Sequence, residues 1–111
     1  MPRIQSHLSE SVAEVDWVSE LFPLSKHYTG VYKDNGLLGN KTIMAHGVHL
    51  NDDELSMLSS TGAGISHCAN SNCSLKSGLC NVLRLKEHGV KVGLGTDCSG
   101  GYSTSMIDSM R

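Results

Sequence analysis

Residues 3–10 read Arg-Ile-Gln-Ser-His-Leu-Ser-Glu (RIQSHLSE), a short apolar run that closes on His7 and is followed three residues later by the carboxylate of Glu10. Inside a core strand an unpaired imidazole costs roughly 1–3 kcal/mol. At a strand end the ring can face a site instead. That reading decides the fold, because the ending recurs down the chain. Thr42-Ile43-Met44-Ala45-His46 is a second short apolar run that finishes on a histidine, and Gly64-Ile65-Ser66-His67 is a third. Val90-Lys91-Val92-Gly93-Leu94 forms a fourth run and leads into Gly95-Thr96-Asp97.

Helical patterns separate these runs. From Ser9 to Phe22, Val12, Val15, Val18, Leu21 and Phe22 recur at steps of three and four, so an amphipathic helix is expected there, limited by Pro23. The segment GVYKDNGLL at 30–38 reads as either a small helix or a loop. Asn51 followed by Asp52, Asp53 and Glu54 reads as a capped, acidic helix start leading to Leu55, Met57 and Leu58, with Gly62 as its stop. CANSNCS at 68–74 reads as loop, and Gly78 to His88 as a helix carrying Leu79, Val82, Leu83 and Leu85. Strands alternating with helices produce parallel sheets with right-handed crossovers, so the expected class is α/β. In such folds chemistry sits at the carboxyl ends of the strands. His7, His46, His67 and Asp97 are therefore expected to converge on one side.

The length, 111 residues, suits one domain spanning 1–111. A formal charge of −2 offers no electrostatic footing for a nucleic-acid or anionic-membrane partner. No run approaches the ~18 apolar residues of a membrane span, and Met1 to His7 lacks the apolar stretch of a secretory signal. The expectation is a soluble, cytoplasmic protein acting on a small molecule. Cys68, Cys73, Cys80 and Cys98 do not crowd the chain as a secreted disulfide scaffold does, and read as reduced thiols.

Histidine and carboxylate suit zinc, which in catalytic sites keeps an open position for water. A bound metal lowers the pKa of that water to about 7, and a nearby carboxylate can move its protons. Glu10, just past the first strand end, is placed for that work. Plainer readings stand beside these. Glu10 can be a first-turn acid facing a helix dipole, Asp97 a helix cap, and His46, His49 or His67 a ring satisfied by backbone. A structural zinc site built on His67, Cys68, Cys73 and Cys80 lacks ligand spacing, and Cys80 falls on the apolar face near Leu79 and Leu83. Neither GLGT at 93–96 nor Gly100-Gly101 matches a phosphate-binding loop.

Taken in order, IQSHLSE (4–10), TIMAHGVHL (42–50), GISHCANSN (64–72) and VGLGTDCSGGYSTSM (92–106) resemble the amidohydrolase superfamily and, within it, the guanine deaminase family. The resemblance implies a (β/α)8 barrel, with this chain on strands five to eight. It implies His7 and Asp97 as metal ligands, Glu10 as proton shuttle, His46 in contact with the attacking hydroxide, and Asp97 as acceptor of the water proton. His7, Glu10, His46 and Asp97 would also line the purine site. The implied reaction is hydrolytic deamination of guanine to xanthine and ammonia, with one zinc per complete site and a homo-oligomeric full-length protein. The family's first-strand H-x-H pair, source of two further ligands, is not among these residues, and Ala69 replaces a proline frequent after the HC word. The chain alone is therefore expected to be an inactive part of such an enzyme. The alternatives are a non-catalytic half-barrel assembly or regulatory module, or another amidohydrolase such as a chlorohydrolase or an adenosine-type deaminase.

Overall fold

The four apolar runs form strands β1 (Ile4–Leu8), β2 (Thr42–His46), β3 (Gly64–His67) and β4 (Lys91–Leu94) in a computed structural model that describes residues 2–111. They lie side by side in the order β1-β2-β3-β4, and every pairing is parallel. The register sets Ser6 against Met44 and Met44 against Ile65, and Ile65 in turn lies beside Val92. Strand alternation then puts Leu8, Met44 and Ile65 on one face and Gln5, His7, Ile43 and Ala45 on the other.

The first face carries the core. Helices α2 (Tyr28–Asp34), α3 (Asp52–Thr61) and α5 (Val82–Glu87) bring Tyr28, Tyr32, Leu55, Leu58 and Leu85 against Leu8, Met44 and Ile65. Leu8, Met44, Leu55, Leu58 and Ile65 are each at most 1 % exposed. Complete burial of such side chains contributes about 1.5–3 kcal/mol apiece. The opposite face has no such cover: Ile43, in the middle of a central strand, is 51 % exposed. Parallel sheets are ordinarily covered on both faces, so this is a sheet with one side open.

Helix α3 starts and stops where its local chemistry dictates. Asn51 accepts the N–H of Glu54 while Glu54 accepts the N–H of Asn51, and Gly62 ends the helix at φ 76°. The segment at 30–38 resolves in favour of a small helix, α2, which begins earlier, at Tyr28. Helix α1 (Val12–Leu21) forms as the periodicity predicts, capped by Ser11, but of its apolar residues only Val18 is buried; Val12, Trp17 and Leu21 are more than half exposed.

Three expectations need correction. Residues 69–74 of the CANSNCS stretch form a short helix, α4 (Ala69–Ser74), rather than a loop. Its polar residues Ser71 and Asn72 are buried, so their polarity does not mark solvent; Asn72 Oδ1 instead meets the ring of His46. The helix expected over 78–88 starts only at Val82, where Asn81 caps it; Leu79 is 84 % and Leu83 73 % exposed. Cys80 accordingly precedes the helix instead of lying on its face, with Sγ 3.6 Å from the carbonyl of Gly47. A final turn, α6 (Met106–Ser109), follows β4. No described helix is long and apolar enough to cross a membrane.

Candidate active site

The carboxyl ends of β1 and β2 are knitted together by backbone. Gly47 N–H donates to the carbonyl of Leu8 at 2.9 Å, and the N–H groups of Val48 and His49 both donate to the carbonyl of Ser9 at 3.1 Å. This clasp holds Glu10, just beyond β1, over the end of β2. Glu10 itself is set by the helix cap that follows it: Glu14 Oε2 accepts the N–H of Glu10 at 3.0 Å, and Glu14 Oε1 accepts the Tyr28 hydroxyl at 2.7 Å. Burial and the Glu14 carboxylate push the Tyr28 phenol well above its usual range, so it stays a donor. Tyr32, stacked on Tyr28, donates to the carbonyl of His7 at 2.8 Å.

His46 is the centre of the site. By alternation its side chain should follow Met44 into the core, but its backbone leaves the strand at φ 73°, in the left-handed region. The ring instead stacks on that of His7, with centroids 5.2 Å apart and planes 18° from parallel. Such a conformation in a residue other than glycine costs about 1–3 kcal/mol and persists only where its surroundings impose it. Asp97, past the end of β4, is also left-handed at φ 45°. Nε2 of His46 then lies 3.5 Å from Glu10 Oε2 and 3.7 Å from Asp97 Oδ2.

Three of the four strand ends therefore meet. His7, His46 and Asp97 each offer one ligand atom, and these atoms lie within 4.8 Å of one another. The His46 ring is 1 % exposed, and its Nε2 has no hydrogen-bond partner although it faces two carboxylates. A buried acceptor among anionic oxygens is unfavourable by itself and favourable around a cation, so the donor set fits a metal ion. His67 is outside this group. Its Nδ1 is buried without a partner, and burial holds its pKa below the usual imidazole value. His49 anchors a loop, its Nε2–H donating to the carbonyl of Ser77 at 2.7 Å.

The thiol of Cys68 joins His7, Ala45, Ser66 and Asp97 in the wall of a concavity on the open face of the sheet, and burial pushes its pKa up. All four cysteines are free, and no cysteine enters a metal-ligating group among the described residues.

Sequence reasoning missed the residues that hold the site in place. Of these only Glu14 has a local signal that could have found it, the capping-box spacing of Ser11 and Glu14. Asn72, whose Oδ1 lies 2.9 Å from His46 Nδ1, and Ser77, whose Oγ is 3.5 Å from Glu10 Oε1, carry no local signal.

A parallel sheet with histidines and carboxylates gathered at its carboxyl edge is the arrangement of a metal-dependent hydrolase. The amidohydrolase family model matches residues 3–111, and the chain belongs to that family. Its relatives are more particular. Guanine deaminase of Mus musculus is 56 % identical over 108 residues, which is 97 % of this chain and 24 % of that protein. The solved structure of E. coli guanine deaminase superposes with a TM-score of 0.96 at 38 % identity, covering 97 % of this chain and 25 % of that one. Guanine deaminase from C. acetobutylicum, solved with guanine bound in its active site, superposes at 0.88 with 39 % identity, over 91 % of this chain and 24 % of that one. The chain thus spans about a quarter of the length of the relatives it matches.

Proposed function

We infer that residues 1–111 form strands five to eight of a (β/α)8 barrel and carry one side of the active site of a guanine deaminase, which converts guanine and water to xanthine and ammonia. The observation that supports this most directly is the meeting of His7, Glu10, His46 and Asp97 at three of the four parallel strand ends in a chain so similar to that enzyme. The open sheet face would be the barrel interior, and the free edges of β1 and β4 would pair with the remaining strands.

His7 and Asp97 would hold zinc, with further ligands from outside these residues, since a catalytic zinc keeps three or more protein ligands. Bound there, zinc supplies the Lewis acidity that makes water nucleophilic at neutral pH. Nε2 of His46 faces the attacking oxygen and orients it. Glu10, at the open mouth of the site, delivers a proton to the purine ring nitrogen, so that the ring carbon bearing the amine becomes electrophilic, and recovers a proton from the added hydroxyl as the carbon–amine bond breaks. Asp97 accepts the proton of the water and passes it toward the departing amine. Two carboxylates in different surroundings sustain this division of acid and base work.

Xanthine formation by residues 1–111 alone, and by the same residues joined to a first half-barrel bearing an H-x-H pair, tests the assignment. The joined protein should be active and the shorter one inactive. A joined protein that binds stoichiometric zinc and leaves guanine untouched removes the substrate assignment.

A further inference from the structure

We propose that Asn72 is the positioning residue of His46: it accepts the ring's Nδ1–H and so holds the Nε2 lone pair toward the space between Glu10, Asp97 and His7. The proposal rests on the reading of those residues as one active site and names what sets its central ring.

Nδ1 of His46 and Oδ1 of Asn72 are 2.9 Å apart, and the two residues are 0 % and 1 % exposed, so each depends on the other for that contact. A neutral imidazole has one donor and one acceptor nitrogen, and an asparagine amide can satisfy either. Nε2 decides between the two senses. It lies 3.5 Å and 3.7 Å from carboxylate oxygens that accept only, yet forms no hydrogen bond with them. A proton on Nε2 would draw one of those oxygens into hydrogen-bonding geometry. The proton therefore belongs on Nδ1, donated to Asn72 Oδ1.

The ring needs this partner. Stacking on His7 fixes the plane of the imidazole but not its flip, because half a turn about the Cβ–Cγ bond keeps the plane and exchanges nitrogen for carbon at both positions. The strand does not orient it either, since His46 has left strand geometry. Asn72 removes the ambiguity from a fixed base. Its own N–H donates to the carbonyl of Cys68 at 2.9 Å, and its carbonyl accepts the N–H of Ser77 at 2.9 Å, pinning α4 on both sides of the side chain. Histidines at metal sites generally owe their tautomer to such a partner, and its loss costs about 10–100-fold in affinity or activity.

The test is the tautomer of His46, read by two-bond 1H–15N correlation in 15N-histidine-labelled, metal-stripped protein under mildly alkaline conditions, where the spectrum itself distinguishes the two neutral forms from the doubly protonated ring. The resonance is assigned by its loss in His46→Gln. The wild type and Asn72→Asp, which keeps the acceptor, should show the ring protonated on Nδ1; Asn72→Leu should shift it to the Nε2–H form while the other histidine signals stay in place. In the zinc-loaded protein that deaminates guanine, Asn72→Leu should lower kcat about 10–100-fold with KM within about threefold, and Asn72→Asp should restore much of it. An Nε2–H ring in the wild type, a tautomer unmoved in Asn72→Leu, or an unchanged kcat once the tautomer has moved overturns the proposal. If the tautomer moves as stated but the wild type leaves guanine intact, the deaminase reading falls and the pairing of Asn72 with His46 stands.

Discussion

Nε2 of His46 stands 3.5 Å from Oε2 of Glu10 without a hydrogen bond between them. The two side chains come from the ends of adjacent strands, and the backbone clasp of Gly47, Val48 and His49 onto Leu8 and Ser9 brings them together. Two polar atoms held this close without a hydrogen bond, one of them on an almost wholly buried ring, are satisfied by a proton donor or a cation and not by an apolar group.

Replacing Glu10 with glutamine keeps its shape and removes its ability to carry a proton. In the deaminating protein, Glu10→Gln should lower kcat by about 10²–10⁴-fold. The melting temperature should stay close to wild type, because the Glu10 side chain is one-quarter exposed and its only side-chain hydrogen bond among the described residues is the one to Ser77. A rate within threefold of wild type, on the order of what an untouched proton transfer leaves, would remove Glu10 from the mechanism.

Metal content separates the strand-end residues. After dialysis against limiting zinc, His7→Ala and Asp97→Ala should lose bound metal by elemental analysis, while His67→Ala, outside the ligating group, should keep it. Zinc at about 100 times its dissociation constant should stabilise the wild type by about 2.7 kcal/mol, a shift visible in thermal melts and absent in the two ligand variants.

Gly47 is a backbone requirement. It lies at φ 59°, and a Cβ there would meet Ile65 Cδ1 at 2.9 Å and Leu50 Cδ1 at 3.3 Å. Gly47→Ala should therefore cost about 2–4 kcal/mol, from left-handed strain plus overpacking. Urea unfolding should show a lower midpoint with the slope unchanged.

Glu54 is buried with its charge spent on three donors: the N–H of Thr29 at 3.2 Å, the Thr29 hydroxyl at 3.0 Å and the N–H of Asn51 at 3.0 Å. Glu54→Leu leaves the fully buried Thr29 without a partner and should destabilise by about 2–4 kcal/mol. Glu54→Gln, which keeps an acceptor, should lose clearly less in the same denaturation experiment.

The acid side of the stability profile should carry the mark of His67. Burial lowers its pKa in the folded state, so between that value and the ordinary 6.5 the unfolded chain binds the extra proton and the folded chain does not. Stability is whole above about pH 6.5 and falls as pH drops through that window. His67→Gln should flatten this part of the curve in melts taken across pH; an unchanged slope would assign the effect to another group.

Local patterns were legible where a few neighbouring residues decide the outcome. The four short runs, the Asn51 and Glu54 cap, the left-handed Gly62 and the helical period of 9–22 all follow from contacts within about one turn or one strand. Polarity misled at 68–74, because Ser71 and Asn72 face inward. Leucine spacing misled at 78–83, where Leu79 and Leu83 turn outward and no element buries them.

By itself the sequence determined a parallel α/β sheet and the strand-end positions of His7, Glu10, His46 and Asp97, because strand alternation and helix capping are written in adjacent residues. Only the tertiary structure decided that His46 leaves its strand to stack on His7, that Asn72 from 26 positions away meets its other nitrogen, and that His67 stays out. Those outcomes depend on where the backbone of one strand end passes another, a relation between distant residues that no local period expresses.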